Sequence, residues 1–201
     1  LMSFSEDDLM FYLNTPTSTN NYILCDPANS KKKTSDYTTF WVIGCGPDDN
    51  YYALYMLKDR LGLTERADVL FDLHRQFKPL AVAYEQYGMQ ADIDHFKDRM
   101  ERDNYRFTIT PVGGQMAKDD RVLRLTPLFE QRRVWMPRKC AKMMRDGTLK
   151  DMVQAFINDE YLPFPVGIHP DFLDSLSRIL DIPHKFPKTV EVQKMTFRRA
   201  V

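Results

Sequence analysis

The chain has 201 residues, 43% of them hydrophobic and 28% charged, the make-up of a globular protein with one substantial core and little room for a second domain. Its 28 Lys plus Arg balance 28 Asp plus Glu, so net charge singles out neither an acidic nor a basic partner, although a neutral total can hide a basic face beside an acidic pocket. Cys25, Cys45 and Cys140 are odd in number and form no CxxC pair, which argues against a disulfide framework or zinc site and for a reducing, intracellular setting.

At the N-terminus, residues 1–8 are polar and lack the basic start and apolar stretch of a signal peptide. They read as a cut through a longer chain. No apolar run reaches transmembrane length, so no membrane is expected. Residues 22–25 are an apolar run closed by Asp26-Pro27, the pattern of a buried strand. A polar loop over 29–35 leads to a β-branched and aromatic strand over 37–45, a turn cluster over 46–50, and a further strand over 51–57. Three strands with short connections predict an antiparallel meander.

Helical spacing then takes over. Leu63, Ala67, Leu70 and Phe71 make one stripe, with Thr64 as the expected N-cap. Residues 80–84 are continuously apolar, as in a strand buried on both faces, and Glu85 ends them. Met89, Ile93, Phe96 and Met100 stripe a second helix, residues 107–110 form a strand, and Val122, Leu125 and Phe129 stripe a third helix. A short strand over 134–136, a helix over 150–159 and a helix with apolar face Phe172, Leu173, Leu176, Ile179 and Leu180 follow. Residues 190–192 are strand-like. The order β-β-β-α-β-α-β-α plus a final helix implies an α/β protein with an RNase H-like mixed sheet, three antiparallel strands then parallel strands, and helices on both faces.

Carboxylates stand at the ends of this pattern. Asp26 and Glu85 each close an apolar strand, where an unpaired charge is costly and where open sheets gather ligands. Asp171 and Asp174 share one polar face at the start of the last helix. Convergence of such groups calls for positive charge, and carboxylate oxygens select Mg²⁺ or Mn²⁺. Two ions about 4 Å apart would bridge a scissile phosphate. Taken singly, Asp26 is equally a turn residue before Pro27, and Asp171 equally a helix cap.

The same residues carry a family likeness. Cys25-Asp26-Pro27-Ala28 followed by Ser35-Asp36-Tyr37-Thr38 resembles the opening strand and hairpin of phage terminase large subunit nuclease domains. Ala83-Tyr84-Glu85-Gln86-Tyr87-Gly88 resembles that family's second carboxylate motif, and Lys118-Asp119-Asp120-Arg121-Val122 its K-x-x-R-I helix. Phe164-Pro165, then His169-Pro170-Asp171-Phe172-Leu173-Asp174, resembles its closing signature, with Pro170 where the family has the first Asp of a pair. The resemblance spans about residues 21–181. It implies an RNase H-like endonuclease that cuts concatemeric double-stranded viral DNA during genome packaging. Asp26, Glu85, Asp171 and Asp174 would be metal ligands, Asp36 a supporting acid, and Lys118 a group near the scissile phosphate or an acidic site residue. It also implies an N-terminal packaging ATPase in the same polypeptide, a small terminase subunit and a portal protein as partners, and action in the host cytoplasm. No GxxxxGK[ST] loop occurs. Residues 1–20 would therefore be a linker from a missing ATPase domain, and 21–201 the nuclease domain.

Basic residues have two readings each. Lys31, Lys32 and Lys33 are DNA-backbone contacts or a solvated loop run. Arg121 is a DNA contact beside the site. Arg132, Arg133, Arg138, Lys139, Lys142 and Arg145, with Trp135 among them, form a duplex-binding surface or ordinary surface charge. Besides the nuclease, two alternatives fit the sequence: a non-catalytic module that grips DNA or docks on the portal, and a resolvase- or transposase-like nuclease of the same fold.

Overall fold

The pairing segments are those rich in β-branched and aromatic residues. In the computed structural model, which describes residues 3–27, 37–87, 89–167 and 169–189, a short strand β1 (Met10–Tyr12) precedes β2 (Asn20–Asp26), β3 (Thr38–Cys45) and β4 (Tyr51–Asp59). β2, β3 and β4 form the antiparallel meander read from the sequence. They are followed by α1 (Leu63–Phe77), β5 (Ala81–Glu85), α2 (Met89–Asp103), β6 (Thr110–Val112), α3 (Lys118–Leu123), α4 (Thr126–Glu130) and β7 (Val134–Pro137). A hairpin, β8 (Ala141–Met143) with β9 (Leu149–Asp151), leads to α5 (Met152–Phe156) and, later, α6 (Asp171–Ser177).

Seven strands make one mixed sheet in the order β1-β7-β4-β3-β2-β5-β6. β5 lies parallel to β2, and β6 parallel to β5, so the chain crosses over twice after the meander. β7 adds in parallel to β4, and β1 in parallel to β7. Every residue of β3 is buried, which requires cover on both faces. Trp41 marks one face: its ring meets Phe156 of α5 and Phe172 of α6 edge-on, at 5.4 and 5.1 Å between centroids. The pair α1 and α2 covers the other, with Ala67, Leu70, Phe71 and Phe96 buried beneath them.

Several elements differ from expectation for physical reasons. Within the segment 1–20, expected to be a linker from an ATPase domain, Met10–Tyr12 form β1 and Phe4 packs against Phe129, Tyr161 and Phe164. α1 is capped at Gly62 rather than Thr64: the Glu65 carboxylate reaches back to accept the Gly62 N–H at 2.7 Å, and Thr64 lies inside the first turn. The strand expected at 107–110 lies at Thr110–Val112. Phe107 is drawn instead onto α1, stacked on His74 at 4.0 Å and packed on Phe71 at 5.0 Å. The third helix is two short ones, α3 and α4, since Pro127 has no N–H to continue a helix and sits in the first turn of α4. The helix read at 150–159 is α5 plus a wider turn, Ile157–Tyr161. The strand-like residues 190–192 lie outside the described residues.

α6 is the element that brings the carboxylates of the closing segment to the sheet. The Trp41 indole N–H donates to the Phe172 carbonyl at 3.0 Å, and the Thr39 hydroxyl donates to Ser175 Oγ at 2.9 Å. Glu160 pins the first turn from the side: Oε1 accepts the Leu173 N–H at 3.0 Å and Oε2 accepts Lys58 Nζ at 2.9 Å. Phe172 is wholly buried between Trp41 and Phe156. Phe172→Ala is expected to cost about 3–5 kcal/mol of stability, measurable by urea unfolding.

Burial pushes the Glu160 carboxyl up to about 7, against the pull of Lys58. Between its ordinary value of 4.5 and about 7, the folded chain keeps a proton that the unfolded chain has lost. Glu160 therefore withdraws stability as pH rises through that window. Glu160→Gln removes this effect. Relative to wild type, the variant should gain on the order of 1–3 kcal/mol between pH 4.5 and 7.5 in urea melts. A stability difference that stays flat with pH would sink the assignment.

Candidate active site

Register places four side chains in one row. Cys25 pairs with Tyr84 in the parallel ladder of β2 and β5, so one residue further sets Asp26 level with Glu85 on adjacent strands, about 4.8 Å apart. Across the antiparallel ladders Asp26 faces Thr39, and Thr39 faces Lys58. Paired residues point to the same side of a sheet. Glu85, Asp26, Thr39 and Lys58 therefore line one face at the carboxyl ends of β5, β2 and β4. Thr39 is bonded to Ser175, so this is the face on which α6 sits. Asp171 and Asp174, in the first turn of α6, are brought over the row.

Lys58 reaches this face through an irregularity. The β3–β4 register shifts between Val42 and Ile43. Counted from the tight turn without that bulge, Leu57 would face Thr39, and Lys58 would point to the opposite side.

Each carboxylate of the closing segment and Glu85 meets a protein cation. The Lys118 ammonium, from the first residue of α3, lies 3.0 Å from Asp171 Oδ1 and 3.9 Å from Asp174 Oδ2. Arg121 holds Asp174 in a fork, Nε to Oδ1 and Nη2 to Oδ2, both at 3.0 Å. Lys58 Nζ lies 3.7 Å from Asp171 Oδ2. Glu85 accepts a short bond from Arg178 Nε, and Arg178 also donates to Asp181 Oδ2 at 2.8 Å. Burial raises the Glu85 carboxyl above its ordinary value, and Arg178 opposes that rise. Burial pulls the Lys118 ammonium down, but Asp171, Asp174 and Asp26 together outweigh it and leave its pKa raised. The last of these influences ties Asp26 electrostatically to the same cation.

The donor chemistry suits a hard divalent ion, because all four candidates offer carboxylate oxygen. Lys118 already stands as a positive charge among them. Among the described residues, no three Asp, Glu, His or Cys side chains are grouped so as to share one ion as they stand. The fold thus brings Asp26, Glu85, Asp171, Asp174 and Lys118 to one end of one face, with the acids of β5 and α6 turned toward basic partners.

The remaining sequence candidates fare differently. Asp36, Lys31, Lys32 and Lys33 lie outside the described residues. Arg121, read as a DNA contact, turns inward to Asp174 and the Met116 carbonyl. Arg133 lies over Tyr51 and Phe186, Arg138 over Phe11, Lys142 over Tyr55, and Arg145 pairs with Glu65. His169 contributes its backbone carbonyl to Lys58 at 3.0 Å.

Sequence reasoning missed Lys58, Glu160 and Arg178. Arg178 carried a signal, since positions 171, 174 and 178 share a helical face. Lys58 needed the bulge, which leaves no mark in the alternation pattern. Glu160 needed knowledge of the turn after α5.

Residues 23–180 match the family model described as terminase RNaseH-like domain. No curated protein sequence matches the chain. Among solved structures, the large terminase nuclease from thermophilic phage G20c with bound magnesium superposes with a TM-score of 0.54 and 15% identity, over 92% of this chain and 98% of that one. The human cytomegalovirus terminase nuclease domain superposes with a TM-score of 0.57 and 11% identity, over 89% and 94%. The HK97 bacteriophage large terminase gives 0.51 and 11%, over 88% of this chain and 42% of that one. At these identities the structures share a fold with this chain. The family model spans most of the sequence, and the chain belongs to the terminase RNaseH-like domain family.

Proposed function

We propose that this domain is a divalent-metal-dependent endonuclease that cuts concatemeric double-stranded DNA during viral genome packaging. The observation that carries this reading is the row of Asp26 and Glu85 at adjacent strand ends, with Asp171 and Asp174 of α6 brought over it. Asp26, Glu85, Asp171 and Asp174 would hold Mg²⁺ or Mn²⁺, as two ions, and Asp36 would support them. When bound, such ions supply a nucleophile from water at neutral pH and stabilise charge on the leaving oxygen. The magnesium bound to the G20c terminase nuclease, which has this fold, supports the choice of metal.

The chain's own residues then have distinct tasks. Asp26 and Glu85 are fixed by the ladder and cannot drift apart. Arg178 opposes the rise that burial imposes on the Glu85 carboxyl and bonds to that carboxylate. Arg121 orients Asp174 through its fork. Lys58, held by Glu160 and the His169 carbonyl, steadies Asp171. Lys118, partly exposed at the rim, faces the place where a phosphodiester would approach. Lys31, Lys32 and Lys33, which follow Asp26 in sequence, would meet the DNA backbone.

In the working particle this domain would follow an ATPase domain of the same polypeptide and act with a small terminase subunit and a portal protein in the host cytoplasm. The HK97 large terminase, of which the match covers 42%, supports a longer parent chain. A second reading, a non-catalytic module that grips DNA or docks on the portal, is favoured by one observation: Glu85, Asp171 and Asp174 are already neutralised by protein cations.

Plasmid nicking separates the two. With Mn²⁺ or Mg²⁺ the wild-type chain should convert supercoiled DNA to open-circular and linear forms, and excess EDTA should abolish this. Asp26→Asn and Glu85→Gln should each lower the rate by about 100-fold or more while leaving the circular-dichroism spectrum unchanged. A wild type that never cuts, or variants that cut equally well, would favour the gripping module.

A further inference from the structure

The four cations around the carboxylates are not alike. Arg178 has a side chain only 5% exposed and is bonded to Glu85 and Asp181. Arg121 is 13% exposed, forked on Asp174 and bonded to the Met116 carbonyl at 2.6 Å. Lys58 is 15% exposed and held by Glu160 and the His169 carbonyl. Lys118 is 39% exposed; among the described residues it makes one hydrogen bond, at 3.0 Å to Asp171, and otherwise reaches Asp174 at 3.9 Å. A planar guanidinium in a fork is locked by its geometry, whereas an ammonium on a four-carbon stem is a movable point charge.

We propose that Lys118 is an internal counter-ion that occupies the metal position and is displaced when a divalent cation binds. This rests on the metal-dependent reading above. Three features support it together. The acids Asp171, Asp174 and Asp26 all act on this one ammonium. It is the most exposed and least anchored cation of the group. It stands within 4 Å of both acids of α6, at 3.0 Å from Asp171 and 3.9 Å from Asp174. The ammonium offsets the charge of these carboxylates without metal, and its departure frees Asp171 Oδ1 and the side of Asp174 Oδ2 that it faces for the ion. Metal affinity is thus set by competition: the ion must expel a charge that the protein itself supplies. Arg121, Arg178 and Lys58 stay bonded to Asp174, Glu85 and Glu160 throughout. The displaced ammonium remains on the first residue of α3, at the mouth of the site, where an incoming phosphate diester would meet it.

Binding of Mn²⁺ to the 201-residue chain, followed by the loss of free-ion paramagnetic resonance and competed with Mg²⁺, tests this without reference to activity. Lys118→Gln should tighten Mn²⁺ binding by about tenfold or more, since an opposite charge within hydrogen-bond reach shifts a carboxylate equilibrium by that order. Lys118→Arg, which keeps the charge, should bind close to wild type or more weakly. Arg121→Gln should lower thermal stability and not tighten binding. In the wild type, the rate at which an amine-acylating reagent labels Lys118, read by mass spectrometry, should rise several-fold on adding Mn²⁺. If wild type binds Mn²⁺ and Lys118→Gln binds it equally or less tightly, the competition is overturned while the metal reading stands. If Arg121→Gln tightens binding as much as Lys118→Gln, Lys118 is not the exchangeable cation. If neither wild type nor Lys118→Gln binds either metal, the metal reading falls and the competition with it.

Discussion

Two carboxylates on adjacent strands, level in register and pointing the same way, cannot both stay charged without nearby positive charge. Asp26 and Glu85 impose that condition at the carboxyl ends of β2 and β5, and the surrounding structure answers it. Arg178 comes from the turn after α6 to meet Glu85. Lys118 and Arg121 come from α3 to meet Asp171 and Asp174. Lys58 comes from β4. α6 must be held tightly for these partners to coincide, and the bonds from Trp41 and Thr39 to Phe172 and Ser175 hold it. Core packing and site electrostatics are therefore one arrangement: the residues that fill the space under α6 also fix where its two acids lie.

Glu160 shows how the arrangement is supported from behind. A buried carboxylate is unfavourable by itself, yet this one accepts both a backbone N–H of α6 and the Lys58 ammonium. It couples the helix to β4 across the face of the sheet. The energy lost by burying it is offset by the positioning of two groups that flank the site, a common trade where a polar group is kept inside a fold.

Much of this was legible in the sequence, for identifiable reasons. Strand ends show in the sequence when an apolar run stops at an acid, as at Asp26 and Glu85, so both the meander and the two strand-end carboxylates could be read. The apolar stripe of Phe172, Leu173 and Leu176 showed the helix, and its spacing showed Asp171 and Asp174 together. What could not be read depended on tertiary choices. Phe107 left the sheet because an aromatic pocket on α1 was available. Residues 10–12 joined β7 because that edge was open, although nothing in Met10-Phe11-Tyr12 names a partner. The pairing of each acid with its own cation required knowing which helix lies over which strand.

The bulge between Val42 and Ile43 has a consequence of its own. Beyond it, β4 is read against β3 in a different phase, much as an inserted letter shifts the words that follow. The hairpin therefore carries information that no single side chain holds. Beyond the shift Met56 and Leu57 still fill the core, while Lys58 is turned to the face on which α6 sits. Lys58 is a site residue by phase rather than by local chemistry. The same strands paired in a single phase from the turn onward would set Leu57 opposite Thr39 on the site face, leaving an oily surface where this chain keeps a charge.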